Sequence, residues 1–585
     1  MARFLDPAGG VKRDPFVLGS REESSSTKAE KVGPTQLSDA QLRTASVLTH
    51  IDNLLDAQAE GGDSLEQAGD LSCDLDDNIK RLKALFRMPE NKDLVMRDLV
   101  IATQPPTRAV VFFMEGMSDK TTINTAIMQP LMLFAHLDHH LSGEGENGPT
   151  TFSVDTVIER LIIGNQATKK YDLKSVAESL LYGDSVLLFE GSRVAIGVET
   201  KGFPVRSVTT PQVERVIQGP QDAFVESFRF NVALVRKRLK DPRMVTEMLT
   251  VGDLSQTYVA MMFLDGIANP ELVNEVRRRI KAVKTDVVGS AGVLEQFIED
   301  SPSALLPGML TTERPDRAVA YLSEGNVCLC VDGTPFVLVC PITFWGLLQT
   351  SEDYYLRAPF GTLIRFLRLT ALGIALLVPA FYIAIVNYHP EMIPTELMLF
   401  AASSRESVPM PAVVELLLMD MAFELIREAG IRIPNVIGPT IGLVASLILG
   451  QAAVEAKLVS PLLILIVAIT GLASFAVPHY MSGFGIRSLR FLFVLAATLL
   501  GFYGLAAALF ILIVHMASMR SFGVPYLAPG APARGGLTDM LVRPPMFDME
   551  LRPAYTSPLD DRRQKEIVRT WDPHVPPSGE GDDPH

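Results

Sequence analysis

Four long apolar stretches lie between residues 364 and 516, and they constrain the fold of this 585-residue chain more than any other feature. They are Leu369–Val386, Val436–Val454, Pro461–Val477 and Leu489–Met516. Each is close to the ~20 residues that an α-helix needs to cross the ~30 Å apolar core of a bilayer. Residues 1–355 have the mixed composition of a soluble protein. The sequence therefore predicts a large soluble part followed by a helical membrane domain.

A fifth apolar segment, Pro411–Ile431, differs from the other four because it carries charged residues. At about 100° per residue, Asp420, Glu424 and Arg427 share one helix face, while Glu415 lies apart. Charged groups at membrane depth are costly and normally face a partner or water. We predict that these four residues line an ion path or make polar contacts between subunits. A helix lying flat on the membrane surface is the alternative.

The membrane domain is expected to contain four to five helices that pack in an oligomer. Small residues recur every fourth position along Val436–Val454, which favours helix-on-helix packing. Arg357, Arg365 and Arg368 precede the first stretch and place the soluble part on the cytoplasmic side. Five crossings would put the arginine-containing C-terminus outside, whereas a re-entrant fifth segment would bring it inside. The number of crossings stays open at this point.

One unit of the soluble part occurs twice. An apolar run, an acidic residue, a glycine and a helical pattern surround both Gly116 and Gly266, which are 150 residues apart. A later hairpin pattern, with acidic-Gly turns at Gly191 and Gly333, recurs at an offset of 142. Acidic-Gly turns between alternating apolar runs are a strong hairpin signal. We therefore predict an internal duplication that gives two similar α/β subdomains.

The predicted organisation is an α/β soluble N-terminal part followed by an α-helical transmembrane domain. The segments are a disordered polar leader with helical spacing in part of it, 1–74; the first α/β subdomain, 75–210; the second α/β subdomain, 211–355; the transmembrane helices, 356–520; and a polar C-terminal tail, 521–585.

Sites for chemistry are weakly marked. Glu115, Asp119 and Asp265 lie in the repeated turns and are candidate ligand contacts, although simple helix entry is the favoured interpretation. His136 and His140 are four residues apart but have no third ligand marked, so we expect no metal site and no cofactor. The sequence contains no motif of the common catalytic families, and we expect that the protein is not an enzyme. A net charge of −14 argues against a nucleic-acid partner.

Three long segments resemble the GerA family of spore germinant receptors. They are Leu188–Glu226, Glu424–Pro461 and the run from Phe475 through Pro532. The resemblance, over about Leu82 to Pro553, is to the A subunit. It implies a multi-pass protein of the spore inner membrane, partnered by a transporter-like B subunit and a lipoprotein C subunit.

The same resemblance implies a function. A nutrient germinant would act on the receptor, chiefly through the B subunit, and the A subunit would oligomerise and form a ligand-gated ion channel for ion release. Two alternatives are kept: the soluble α/β part is itself a small-molecule binding module, or the chain is a sporulation-specific membrane relative that amplifies germination.

Overall fold

The computed structural model describes residues 69–101, 106–133, 154–163, 166–202, 210–432, 450–533 and 539–564. The predicted leader up to residue 68, the His136–His140 pair and most of Val436–Val454 lie outside these ranges.

The first subdomain is an α/β unit. Its strands are β1 (Leu94–Ile101), β2 (Thr107–Met114), β3 (Ala167–Lys170), β4 (Ser185–Phe189) and β5 (Ala195–Val198). Its described helices are α1 (Leu75–Leu85), α2 (Lys120–Thr122), α3 (Gln129–Leu133), α4 (Val154–Thr156) and α5 (Leu173–Leu181), with π-helices at Ile123–Met128 and Val157–Leu161. The strands form one antiparallel sheet in the order β1-β2-β4-β5-β3.

The second subdomain is built in the same way. Its strands are β6 (Met244–Val251), β7 (Thr257–Leu264), β8 (Leu310–Thr312), β9 (Val327–Val331) and β10 (Val337–Cys340). Its helices are α6 (Phe228–Arg238), α7 (Pro270–Ala282), α8 (Ala291–Ile298) and α9 (Pro315–Ser323). The short helices α10 (Phe344–Leu348) and α11 (Glu352–Tyr355) lead from it towards the membrane region.

The strand order of the second sheet, β6-β7-β9-β10-β8, repeats that of the first strand for strand. This confirms the identical order that the internal duplication predicts. Gly116 and Gly266 both have positive φ, 82° and 76°, in the turns that follow β2 and β7. Glycine adopts this left-handed conformation without steric cost, which explains why the same residue type marks both turns.

Alternation along the central strands gives each sheet two buried faces. In β2, Val110 and Phe112 pack into one apolar cluster, whereas Ala109 and Val111 pack into another on the opposite face. Residues of β7 divide between two clusters in the same manner. A strand that is buried on both faces has a nearly continuous apolar sequence, as β2 has from Ala109 to Met114.

The membrane region begins directly after α11. Its described helices are α12 (Ala358–Tyr388), α13 (Thr395–Arg405), α14 (Ala412–Arg432), α15 (Pro461–Phe475) and α16 (Tyr480–Ser518), with a 3₁₀ turn at Pro390–Met392. Within the described ranges, two helices, α12 and α16, have the length and hydropathy needed to span a membrane, and α15 is apolar but shorter. The predicted count of four to five spanning helices stays a prediction.

Helix α16 departs from the sequence expectation of a single span over Leu489–Met516. Gly501 has non-helical dihedral angles, with φ 58° and ψ −136°, and divides the 39-residue helix into two parts. A Cβ added to Gly504 would lie 2.0 Å from the carbonyl oxygen of Ala496. Residues eight apart in a straight helix are ~12 Å apart along its axis. The chain therefore folds back at Gly501, and α16 is a helical hairpin.

The segment after α16 returns to the second subdomain. Two short strands, β11 (Arg520–Ser521) and β12 (Val524–Pro525), pair with each other, and 3₁₀ turns follow at Met546–Asp548 and Ala554–Thr556. Phe522, Val524 and Tyr526 are completely buried in the two apolar clusters of the second subdomain. The segment predicted as a polar tail therefore begins with part of a folded core.

Equivalent positions of the two subdomains are covered by different parts of the chain. In the first subdomain, the backbone N–H of Gly202 donates to the carbonyl of Met117 at 3.0 Å. Ile267 is 150 residues beyond Met117, and its carbonyl accepts from the N–H of Leu559 at 2.9 Å. The residues after α16 thus contact the second subdomain at one position. The segment that leads out of the first subdomain, at Gly202, contacts the first subdomain at the equivalent position.

Candidate functional site

A network of buried charges joins α14 to the first half of α16. Asp420 lies 3.3 Å from Nε of Arg490, and both side chains are only 1% exposed. Neither carboxylate oxygen of Asp420 accepts a hydrogen bond from any residue that the structure describes. The pair is therefore held by charge attraction in a nearly water-free position.

Glu424 occupies the centre of this network. Its carboxylate is 3.0 Å from Arg427 on the same helix and 3.5 Å from both Arg487 and Arg490 on α16. Glu424 and Arg427 are three residues apart on the helix face that the sequence predicts for them, a spacing at which an intrahelical ion pair forms. Three guanidinium groups thus surround two carboxylates, which leaves a formal charge of +1 within the network.

Aromatic and hydroxyl groups complete the environment of Arg427. Its guanidinium carbon lies 4.8 Å from the ring centre of Phe423 and 4.9 Å from that of Phe475, and Nη2 donates to the hydroxyl of Ser474 at 3.1 Å. Such stacking stabilises a cation that has lost its water. The network therefore links α14 to α15 as well as to α16.

Glu415 takes no part in this network. It is fully buried and accepts hydrogen bonds from Nε of Arg405 at 3.3 Å and from the backbone N–H of Ser460 at 3.1 Å. Its separate position agrees with the helix geometry, which places it away from the face of Asp420. Glu415 ties α14 to α13 and to the start of α15.

Sequence reasoning missed the two arginines that complete the network. Arg487 and Arg490 flank an apolar run that hydropathy marks as a single span, and arginines in that position ordinarily indicate only the orientation of the span. A signal was present: the two arginines, three residues apart at the edge of an apolar run, share one helix face, as do Asp420 and Glu424, four residues apart.

The candidate ligand turns have structural roles. Asp119 caps α2 by accepting hydrogen bonds from Thr122 and Thr121, and these bonds, chiefly that from the Thr122 hydroxyl, lower its pKa. Glu115 pairs with Lys120 at 2.7 Å and also with Arg229 of the second subdomain. The interpretation favoured from the sequence is that these acids stabilise the start of a helix, and Asp119 has this role at the N-terminus of α2.

The equivalent acids of the two turns make reciprocal contacts between the subdomains. Glu115, in the first, pairs with Arg229 in the second, and Asp265, in the second, pairs with Arg87 in the first at 2.8 Å. Burial raises the pKa of Asp265, and Arg87 opposes that shift. The acids of both duplicated turns thus contribute ion pairs to the contact between the subdomains.

A buried arginine strengthens this interface. Arg236 of α6 is 2% exposed and donates from Nε to Asp93 at 2.9 Å and from Nη2 to the carbonyl of Met244 at 2.6 Å. The backbone N–H of Lys92 also donates to the carbonyl of Thr246 at 3.1 Å. Since Asp93 and Lys92 belong to the first subdomain, the two subdomains are fixed together.

The base of α12 is fixed to the soluble part by a second charge network. Asp353 of α11 is fully buried and lies 2.7 Å from Arg368 and 3.3 Å from Arg365. Arg365 also pairs with Asp539 of the C-terminal segment at 2.8 Å. Both arginines were expected to mark the cytoplasmic side, and in the structure they connect the first membrane helix to α11 and to the C-terminal segment.

Ion pairs attach the two α/β subdomains to a group of apolar helices, and these helices enclose buried charges. This arrangement defines a membrane protein with a large soluble part. The model of the family described as Bacillus/Clostridium GerA spore germination protein matches residues 80–555 of this chain. The chain therefore belongs to the GerA family and has a role in spore germination.

Several curated relatives are similar over most of their length. Spore germination protein KA of Bacillus subtilis (strain 168) is 36% identical over 497 residues, which cover 84% of this chain and 89% of the relative. Spore germination protein GerLA of Bacillus cereus is 37% identical over 469 residues, covering 80% and 93%. The membrane protein YfkQ of Bacillus subtilis (strain 168) is 37% identical over 445 residues, covering 76% and 84%.

Among solved structures, the N-terminal domain of the A subunit of the Bacillus megaterium spore germinant receptor GerK3 is 27% identical. The match covers 48% of this chain and 98% of that domain, with a TM-score of 0.36.

Proposed function

We propose that this protein is the A-type subunit of a nutrient germinant receptor in the spore inner membrane. It works with a transporter-like B subunit and a lipoprotein C subunit, and it converts nutrient sensing into ion release as an oligomeric, ligand-gated channel. It is not an enzyme. The observation that carries this proposal is the buried charge network between α14 and α16 in a chain whose relatives are spore germination proteins.

Contacts at the two ends of the apolar region support an even number of membrane crossings. Arg365, near the start of α12, pairs with Asp353, and Met516 at the end of α16 packs into a core cluster of the second subdomain. A chain that leaves and returns on the same side makes an even number of crossings. The hairpin at Gly501 supplies two of them. The flanking arginines favour the cytoplasmic side for the soluble part.

The charge network holds α14 against α16 in the closed channel, and for this reason we call it the lock. Asp420 and Glu424 on α14 hold Arg487 and Arg490 on α16, so the two helices cannot separate without breaking several buried ion pairs. Deleting one member of a buried pair costs about 3–5 kcal/mol because the remaining charge is left uncompensated, so single substitutions in the network should weaken this contact. When the helices separate, these carboxylates become available to line a cation path.

The soluble part transmits the signal to this lock. Its second subdomain is joined to α12 through Asp353 and to α16 through the buried residue Met519. A rotation of this subdomain therefore moves the first and last membrane helices together. Nutrient binding in the assembled receptor provides the energy for this movement, since a ligand shifts a conformational equilibrium only by its difference in affinity for the two states.

Spores that carry single substitutions test the lock. Asp420→Asn is expected to raise nutrient-independent ion release, because Arg490 loses its nearest partner. Exchanging the two charges, with Asp420→Arg and Arg490→Asp in one chain, should restore dependence on nutrient. Glu428→Gln serves as the control, since it removes an exposed carboxylate from the same helix.

Protein levels are compared by immunoblot, and cysteine-accessibility labelling of Met419→Cys, a buried position beside Asp420 that leaves the charge network intact, reports exposure to water before and after nutrient addition. If Asp420→Asn spores release ions at the wild-type rate with and without nutrient, the network is not a lock. If Met419→Cys is labelled equally in both states, the proposed opening does not occur.

A further inference from the structure

A large cleft lies between the second subdomain and the C-terminal segment that returns to it. Its volume is about 980 Å³, close to the upper end of the range for small-molecule sites. One wall is formed by α9 to α11, and the other by parts of residues 529–563. The cleft therefore exists only because the segment after the membrane helices folds back onto the soluble part.

The lining combines an apolar body with a negative charge. Trp345, Tyr321 and Tyr555 contribute aromatic surface, and Met540 and Met546 contribute flexible apolar side chains. The charged lining residues are six acids and three arginines, a formal charge of −3. They are Asp316, Glu324, Asp539, Asp548, Glu550 and Asp561, with Arg317, Arg552 and Arg563.

Two of the three arginines are already engaged with the protein. Arg317 pairs with Glu214 at 2.5 Å and donates to the carbonyl of Gln349 at 2.7 Å. Arg552 pairs with Asp560 and donates from Nε to the carbonyl of Ser323, both at 2.8 Å. Neither guanidinium is therefore available to compensate the negative charge of the cleft.

Glu324 is the lining acid with the weakest compensation for its burial. Its side chain is 13% exposed, and its nearest cation is Nη1 of Arg563, at 3.6 Å. Within the described ranges, its carboxylate accepts no hydrogen bond shorter than this contact. Burial raises its pKa to about 7. A carboxylate in this position is stabilised by an additional cation, and a cleft offers the space for one.

We propose that this cleft binds a small molecule that carries a cationic amino group on an aromatic or apolar body, with Glu324 as the anionic anchor. Aromatic rings favour such ligands because their faces attract cations. The inference concerns a different part of the chain from the charge network of α14 and does not depend on ion conduction.

The cleft is positioned to influence the membrane helices. Tyr354 and Asp539 line it, and the hydroxyl of Tyr354 donates to Asp539 at 2.6 Å. The same aspartate holds Arg365 at the base of α12, at 2.8 Å. A ligand in the cleft would therefore contact the residues that fix the first membrane helix.

Thermal unfolding of the purified full-length protein in detergent tests the site, with phenethylamine as the probe. Phenylacetate has the same ring on a short chain with the opposite charge and serves as the matched control ligand. Phenethylamine should raise the apparent unfolding temperature, since a ligand that binds only the folded state stabilises it. Glu324→Gln should weaken phenethylamine binding at least about tenfold, the usual cost of losing a contact with a charged group.

Glu295→Gln is the matched control variant, because Glu295 is another partly buried acid whose pKa burial raises to about 7, and it does not line the cleft. Met546→Lys, at an exposed position of the lining, adds a positive charge without disturbing a buried residue, and Met546→Gln is its neutral partner. Weaker binding in Met546→Lys than in Met546→Gln supports the site even if Glu324→Gln does not fold. An absent shift in the wild type, or an equal shift with phenylacetate, overturns the proposal.

Discussion

The contact between Asp420 and Arg490 allows a quantitative prediction about the membrane helices. Because the two charges are 3.3 Å apart and 1% exposed, their attraction is about 5 kcal/mol at an effective dielectric constant of ~20. Desolvation of both groups opposes this attraction. Asp420 accepts no hydrogen bond from the described residues, so charge attraction is its main compensation.

Arg490→Met should therefore lower the free energy of unfolding by about 3–5 kcal/mol, since it leaves Asp420 buried without its nearest cation. The double variant Asp420→Asn with Arg490→Met should lose less than the sum of the two single changes. We expect a coupling free energy of roughly 2–4 kcal/mol between the two positions.

Unfolding of the purified protein in mixed micelles, titrated with SDS and followed by circular dichroism, measures all four members of this cycle. A parallel cycle on Arg108 and Asp76, an exposed pair at a similar distance of 3.4 Å, is the control and should show no measurable coupling. Additive effects of Asp420→Asn and Arg490→Met would refute the reasoning, because they would mean that the two charges do not stabilise each other.

Three further predictions concern the soluble part. Phe522→Ala should destabilise the protein by about 3–5 kcal/mol in chemical denaturation, because the ring is fully buried in a core of the second subdomain. The stability that Glu295 contributes should be lost as pH rises from about 4.5 to about 7, since burial raises its pKa to about 7 and the folded state keeps its proton longer than the unfolded state. Thermal unfolding at several pH values should therefore show a smaller fall over this range in Glu295→Gln than in the wild type. Arg87→Asp should weaken the contact between the subdomains by less than about 1 kcal/mol, and Asp265→Arg in the same chain should restore it in a double-mutant cycle.

The duplicated soluble fold was accessible from the sequence because local chemistry repeats with it. Gly116 and Gly266 mark turns with positive φ that glycine adopts most readily, so the same residue appears at both places. The shared landmarks also predicted that the two sheets have the same strand order, although they did not predict what that order is. The interface between the subdomains did not follow, because a pair such as Asp265 with Arg87 depends on how two folded units meet.

The membrane region was harder to predict for a physical reason. Hydropathy identifies apolar residues but not a reversal within an apolar run, so the turn at Gly501 was hidden inside a segment that reads as one helix. The spacing of Asp420 and Glu424 predicted a shared polar face, yet their partners Arg487 and Arg490 come from a distant segment. The buried position of Tyr526 was likewise invisible, since the tail around it is polar on average.

Ion flux across liposomes is the measurement that tests the central claim most directly. The purified chain is reconstituted with its transporter-like and lipoprotein partners, and potassium release is recorded before and after nutrient addition. The account predicts nutrient-dependent flux with the wild-type chain and flux without nutrient with Asp420→Asn. Equal flux from liposomes that contain the two partners but lack this chain would contradict its assignment as the subunit that controls ion release.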